Sequence, residues 1–125
     1  MTLLLDSNVW IAYFEGSPRG AKVRTFIEGT EKIIISPINI AEVFRHALAH
    51  RGRGTAERIV AAMLEYAFEI PIESTLAIQA AALKHQHMLA LADALIYATT
   101  QMHEATLVTS DSDFKHLAGV EYLGT

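Results

Sequence analysis

Four acidic residues occupy positions in the chain where a metal-dependent enzyme commonly places its ligands. Asp6 and Asp111 each closely follow a short apolar run, and Glu42 and Asp93 lie early in segments of helical character. Carboxylate oxygens are the ligands that Mg²⁺ and Mn²⁺ prefer, and a phosphodiester oxygen can complete their coordination. If the fold brings the four side chains together, they form a site for a divalent metal ion.

Such a site suits phosphodiester hydrolysis. A divalent ion held by carboxylates would lower the pKa of a water molecule, and the same ion or a second one would offset the charge that develops on the phosphate and the leaving oxygen. Water, and not a protein side chain, is then the attacking group. The sequence leaves open whether one or two ions bind.

Each acid also has a purely structural interpretation. Asp93 and Asp111 suit helix N-caps, and Ser110 with Asp113 resembles a capping box. Glu42 suits a surface position near a helix N-terminus. For any one of them alone, the structural interpretation is at least as strong as the catalytic one.

The elements that must position these acids alternate between strands and helices. Short apolar runs predict strands at Thr2–Leu5, Ile33–Ile35, Phe68–Ile72, Thr106–Thr109 and Val120–Leu123. Helices are predicted at Asn8–Glu15, Arg19–Glu28, Pro37–Arg51, Thr55–Tyr66, Ser74–His87 and Leu91–His103, with a short turn near Phe114. This alternation predicts an α/β fold with a parallel five-stranded sheet flanked by helices. Ligands of such sheets bind beyond the carboxyl ends of the strands, where these acids are expected to meet.

Composition limits the class of protein. A chain of 125 residues without cysteine suits one domain, residues 1–125, and excludes thiolate metal sites and disulfide scaffolds. The chain has no apolar run long enough for a membrane span and no basic flank of a signal peptide at its start. We therefore expect a soluble, cytoplasmic protein. The net charge of −4 gives no overall attraction for nucleic acid.

One stretch of the chain is locally basic. It contains Arg45, His46, His50, Arg51, Arg53 and Arg58 against a single acid, Glu57. Arg45, Arg51 and Arg53 could form a basic patch there. The alternative is a solvated helix end, where arginines complement the helix dipole.

Four short motifs, in order along nearly the whole chain, carry a family resemblance. They are Leu4–Val9 (LLDSNV), Ser36–Val43 (SPINIAEV), Leu91–Ala98 (LADALIYA) and Leu107–Phe114 (LVTSDSDF). Each is weak alone, but together the chain resembles the PIN-domain ribonucleases, particularly the VapC toxins of VapBC toxin–antitoxin pairs.

The resemblance implies a catalytic and metal-binding site made of Asp6, Glu42, Asp93 and Asp111. Asp113 is the alternative to Asp111 as the fourth ligand, and Ser7, Asn8 and Thr109 match polar positions that line the family's site. It further implies endoribonuclease activity with Mg²⁺ or Mn²⁺, an RNA substrate, a small antitoxin encoded nearby and a homodimer. Arg45, Arg51 and Arg53 are then the candidates for holding the RNA backbone. Which RNA is cleaved, and at which bond, the motifs do not encode.

Four other interpretations remain. A phosphatase with an aspartyl nucleophile would need a second Asp where Asn8 stands. A zinc hydrolase could use Glu42 with His46, or His85 with His87, although neither pair completes a zinc motif. A PIN domain that binds RNA or protein without cleavage is disfavoured because all four acids are present, and a free-standing RNA-processing PIN nuclease is the alternative to a toxin.

Overall fold

Strands and helices alternate along residues 1–124, the part of the chain that the computed structural model describes. The strands are β1 Thr2–Leu5, β2 Lys32–Ile35, β3 Phe68–Glu69, β4 Thr106–Thr109 and β5 Val120–Tyr122. The helices are α1 Ser7–Glu15, α2 Pro18–Ile27, α3 Pro37–Arg51, α4 Arg53–Tyr66, α5 Ser74–His87 and α6 Leu91–Met102, with a 3₁₀ turn at Ser112–Phe114. No helix among these is long and apolar enough to cross a membrane.

The five strands form one parallel sheet in the order β3-β2-β1-β4-β5. The chain moves outward from β1 through β2 to β3, and then returns to place β4 on the opposite side of β1. The register aligns Leu4 of β1 with Ile34 of β2 and Leu107 of β4. This reversal opens a crevice at the carboxyl ends of β1 and β4. The prediction of a parallel α/β sheet is confirmed.

Helices cover both faces of the sheet, which explains why its strands are apolar at nearly every position. Leu4, Ile34 and Leu107 pack with α5 and α6 on one face. Their neighbours Leu5 and Ile35 pack with the other helices on the opposite face. Successive strand residues point to opposite faces, so each run of three or four apolar residues supplies both halves of the core.

Several local predictions needed correction. β3 ends at Glu69 because Pro71 has no amide hydrogen to donate to a ladder. Helix α4 begins at Arg53, two residues before the predicted start at Thr55. Asp93 lies in the first turn of α6, whose N-cap is Ala90. Ser36 does cap α3, through a capping box with Asn39.

Candidate functional site

Asp6 is the centre of the site's framework. It follows β1, caps α1 and is buried, and its amide donates to the carbonyl of Val108 in β4 at 2.9 Å. Ser7 N donates to its Oδ1 at 2.8 Å, and Thr109 Oγ1 donates to its Oδ2 at 2.7 Å. Both carboxylate oxygens are therefore fixed by groups at the ends of the two central strands.

Ser7 connects this carboxylate to α3. Its hydroxyl donates to Glu42 Oε1 at 2.6 Å and accepts from Asn39 Nδ2 at 3.1 Å. The Oδ1 of Asn39 accepts from the amide of Ser36 at 3.0 Å, which completes the capping box of α3. The start of α3 thereby sets the position of Glu42. Sequence reasoning missed Asn39, although its position three residues after Ser36 was a usable capping signal.

Asp93, Asp111 and Asp113 form a second group of acids. Each offers one carboxylate oxygen within 4.8 Å of the other two, the one such group of three among residues 1–124. The amide of Asp111 donates to Thr109 Oγ1 at 2.9 Å, and Asp111 Oδ1 accepts from the amide of Asp113 at 2.9 Å. Asp111 thus caps the 3₁₀ turn, and the predicted capping box of Ser110 with Asp113 does not form. Both candidates for the fourth ligand lie beside Asp93.

The two groups of acids meet in a solvent-open cavity of about 230 Å³. It is lined by Asp6, Ser7, Asn8, Ile11, Glu42, Arg45, His46, Asp93 and Asp111. Asn8 also accepts from the amide of Ser110 at 3.4 Å, which ties α1 to the segment after β4. The structure therefore brings together all four acids selected from the sequence. Their roles as ligands remain predictions.

Burial and the crowding of negative charge raise two pKa values at the site. Burial raises the pKa of Asp6 to about 6, against the opposing hydrogen bonds from Thr109 and Ser7. Burial also raises the pKa of Asp93 to about 7, and there the charges of the other four acids add to it, Asp111 most strongly. The site thus favours bound protons or a bound cation over bare charge.

The basic stretch does not gather at the site as a unit. Arg45 lines the acidic cavity, one turn after Glu42. Arg51 borders a separate, mainly apolar cavity, and Arg53 lies 3.9 Å from Glu57 and over the ring of Phe44. Of the three arginines proposed to hold RNA, the geometry places only Arg45 beside the carboxylates.

The structure gives no support for the zinc alternative. His46 Nε2 lies 2.8 Å from Glu15 Oε1, so its ring is engaged by α1 and not by Glu42. In the described part of the chain, no histidine belongs to a group of three or more residues that could hold a metal ion. The donors gathered here are oxygens, which suit Mg²⁺ and Mn²⁺.

A stability prediction arises from the charge of Asp93. Its pKa is raised in the folded state, so folding favours the proton, and this stabilisation is lost as the pH rises from about 4 to about 7. We expect Asp93→Asn to raise the melting temperature of metal-free protein at pH 8 by about 2–4 °C, with little change at pH 5. Partial exposure of Asp93 keeps the effect small.

The measurement is thermal unfolding at both pH values, with chelator or with Mn²⁺. Mn²⁺ should raise the melting temperature of the parent chain far more than that of the variant. The exposed Glu65 is a matched control, because Glu65→Gln removes one charge away from the cavity. An equal Mn²⁺ effect on parent and Asp93→Asn would assign Asp93 to a structural role.

Comparison with known proteins identifies the family. Residues 3–120 match the PIN domain, and the chain belongs to the PIN-domain family. A toxin–antitoxin complex from Klebsiella pneumoniae contains a chain of similar structure, with a TM-score of 0.79 and 27% identity over 95% of both chains. A comparison of the sequence with curated proteins finds no match.

Two further structures share the fold at lower identity. VapBC2 from Rickettsia felis, bound to a DNA fragment from its promoter, gives a TM-score of 0.78 at 18% identity over 98% of both chains. VapC20 from Mycobacterium tuberculosis, a toxin that cleaves the sarcin–ricin loop, gives 0.77 at 18% identity over 95% of this chain and 97% of that one. The fold of the present chain is thus the fold found in VapC-type proteins.

Proposed function

We propose that this protein is a Mg²⁺- or Mn²⁺-dependent endoribonuclease, and that it is the toxin of a toxin–antitoxin pair. The observation that carries the proposal is the setting of Asp93, whose carboxyl is subject to the charges of four other acids at the carboxyl edge of the sheet. Such a cluster costs stability when it is bare, and this cost is offset when a cation binds. The PIN-domain match and the toxin–antitoxin neighbours support the assignment to RNA cleavage.

The donor set fits a hard divalent cation. Asp93, Asp111 and Asp113 would hold one ion, with Asp6 and Glu42 available to the same ion or to a second. When bound, the metal supplies an activated water and offsets charge on the phosphate. The acidic cavity is open to solvent, so a polymer substrate can enter it from the surface.

The chain's own residues would prepare the site before substrate arrives. Thr109 and the amide of Ser7 hold the carboxylate of Asp6 in one orientation. The hydroxyl of Ser7, supported by Asn39, holds Glu42 in place. Because these partners are fixed by helix and strand ends, little rearrangement would accompany the reaction. Arg45 would attract the phosphate backbone to the cavity.

The test is cleavage of end-labelled RNA. Purified protein with Mg²⁺ or Mn²⁺ should produce internal cuts that leave either a 3′-hydroxyl and a 5′-phosphate or a 3′-phosphate and a 5′-hydroxyl. No 2′,3′-cyclic phosphate should form, because water is the attacking group. Chelator should abolish the activity, and added metal should restore it. Full activity in chelator would overturn the metal mechanism, and cyclic-phosphate ends would overturn attack by water.

The proposed partner is a small antitoxin that covers the site. An apolar cavity between α1, α3 and α4 is lined by Ile11, Phe14, Val43 and Ile59, and it shares Ile11 and His46 with the acidic cavity. A partner segment that places an apolar side chain there would bring the next part of its chain to the carboxylates. An arginine or lysine from the partner would then take the place of the metal.

We also propose a homodimer, as the family resemblance implies. Large apolar side chains are exposed on or beside α5 and α6, among them Ile78 at 71%, Met88 at 89% and Leu91 at 53%. A two-fold pair would cover such side chains and could join two acidic cavities into one longer groove. Multi-angle light scattering at micromolar concentration should give twice the mass of the chain. A monomer mass under those conditions would rule the dimer out.

A further inference from the structure

Arg19, which no sequence motif singles out, borders a groove beside the acidic cavity. The groove has a volume of about 380 Å³, and its walls include Asn8, Ile11 and Arg19. Asn8 and Ile11 also line the acidic cavity, so the two depressions meet at these residues. A ligand strand lying in the acidic cavity can therefore continue along the groove toward Arg19.

One face of α1 forms the floor of this path. Asn8, Ile11 and Glu15 all line the groove, and their spacing of three, four and seven residues places them on one side of the helix. Seven residues of helix span about 10 Å, which corresponds to about three nucleotides of stacked strand. Asn8 marks the end near the carboxylates, and Arg19, in the first turn of α2, lies beyond the other end.

Arg19 has no ion-pair partner within 4.0 Å among residues 1–124. Glu15, the acid that shares its groove, is engaged instead by His46 Nε2 at 2.8 Å. Arg24, one and a half turns further along α2, differs because it lies 3.7 Å from Glu28. The guanidinium of Arg19 is thus free to bind an anion, whereas that of Arg24 already has a carboxylate neighbour.

A contact between Arg19 and a phosphate would help a polyanion to bind near the acidic cavity. A phosphodiester that approaches several carboxylates is repelled until metal neutralises them, and the net charge of the chain is −4. Cations around the cavity would supply part of the binding energy for a polyanion. Arg45 supplies one beside Glu42. Arg19 supplies another at the far end of α1.

We propose that Arg19 binds a backbone phosphate of single-stranded RNA, about three nucleotides from the bond that is cut. Together with Arg45 it holds the strand along α1 so that the scissile phosphate lies at the carboxylates. Arg19 is a positioning residue in this arrangement, because it acts on the substrate away from the reacting atoms. The proposal rests on the nuclease function proposed above.

The first test measures RNA binding without turnover. Fluorescence anisotropy of a labelled single-stranded RNA is recorded at several salt concentrations, with Asp93→Asn as the common background. Adding Arg19→Ala should weaken binding about 5- to 10-fold and reduce the slope of log K against log salt by about 0.7. Arg19→Lys should keep most of the affinity, since the charge remains. Arg24→Ala is the matched control on the same helix and should leave both quantities unchanged.

The second test uses RNA length in the cleavage reaction of the otherwise unaltered chain. Arg19→Ala should raise KM about 5- to 10-fold with kcat nearly unchanged on a long RNA. As the RNA is shortened one nucleotide at a time from each end in turn, this difference should disappear on one side only, once the strand no longer reaches Arg19. If Arg19 had only a structural role, Arg19→Ala would change KM by the same factor for RNAs of every length.

The outcomes separate this inference from the nuclease function. Unchanged affinity and salt slope in Arg19→Ala, with normal metal-dependent cleavage, would overturn the Arg19 contact and leave the nuclease intact. A loss of affinity of the same size in Arg24→Ala would also overturn the Arg19 contact, because the loss would then result from the change in the overall charge of the protein. If the parent chain cleaves no RNA, the nuclease proposal fails, and the anisotropy data still decide whether Arg19 binds RNA.

Discussion

Asp93→Asn is expected to lower metal-supported RNA cleavage about 100-fold or more while the protein stays folded. The asparagine keeps the shape of the side chain but loses the anionic oxygen that a divalent cation requires. Asp93 makes no side-chain hydrogen bond among the described residues, so its replacement leaves the surrounding framework satisfied. The variant therefore isolates the contribution of charge at the centre of the acidic cavity.

Asp6→Asn should give a loss of at least the same size, with an added structural effect. Both oxygens of Asp6 accept hydrogen bonds, from Ser7 N and Thr109 Oγ1, and an asparagine offers only one acceptor. Initial rates on labelled RNA across a metal titration measure both variants, and circular dichroism checks their folding. Glu65→Gln is the control and should cleave normally. Wild-type rates in Asp93→Asn would show that this carboxylate takes no part in catalysis.

The second large effect is expected in cells. Induction of this chain alone should arrest bacterial growth, and the arrest should disappear when Asp93→Asn is induced at the same level. If the adjacent reading frame encodes a small DNA-binding protein, its co-expression should restore growth. The reason is electrostatic, since a guanidinium or ammonium group in the acidic cavity would occupy the place of the metal.

Blocking of the acidic cavity by the antitoxin can also be tested in vitro. A partner peptide should inhibit RNA cleavage and compete with Mn²⁺, and replacing its cationic residue by Ala should relieve inhibition more than it weakens binding. Growth arrest that persists with Asp93→Asn would show that toxicity has another origin. A neighbouring protein that binds tightly without affecting cleavage would rule out blocking of the cavity.

The fold was largely predictable because local and global signals agree. The apolar runs at Leu3–Leu5 and Ile33–Ile35 have the continuous character of buried parallel strands, and both form strands in the structure. The errors occurred at the ends of strands and helices, where neighbouring groups compete for the same hydrogen bonds and thereby determine the first or last residue. β3 stops early because Pro71 has no amide hydrogen to donate, and α4 starts at Arg53, two residues before the predicted start.

The gathering of the four acids in one cavity was predictable from the sequence, but the hydrogen bonds among the neighbouring side chains were not. The motifs selected the four acids because strand and helix ends carry them to one edge of the sheet. The hydrogen bonds of Ser7 with Glu42 and Asn39 depend on how α3 packs beside α1, and no local pattern encodes that packing. Arg51 and Arg53 were grouped with Arg45 by sequence proximity, yet the helix surface and the break at Gly52 direct them elsewhere. Nothing in the sequence selects Arg19, the proposed phosphate contact, because a lone arginine at a helix start carries no signal of its own.

The hydrogen bond between Thr109 and Asp6 joins residues 103 positions apart in the sequence. During synthesis on the ribosome, the first strand of the sheet is made long before β4, which completes the crevice beside it. Until Thr109, Asp111 and Asp113 have emerged, the nascent chain has Asp6, Glu42 and Asp93 but no assembled site. Because β4 emerges late, we expect the proposed activity to appear only after nearly all of residues 1–124 have been produced.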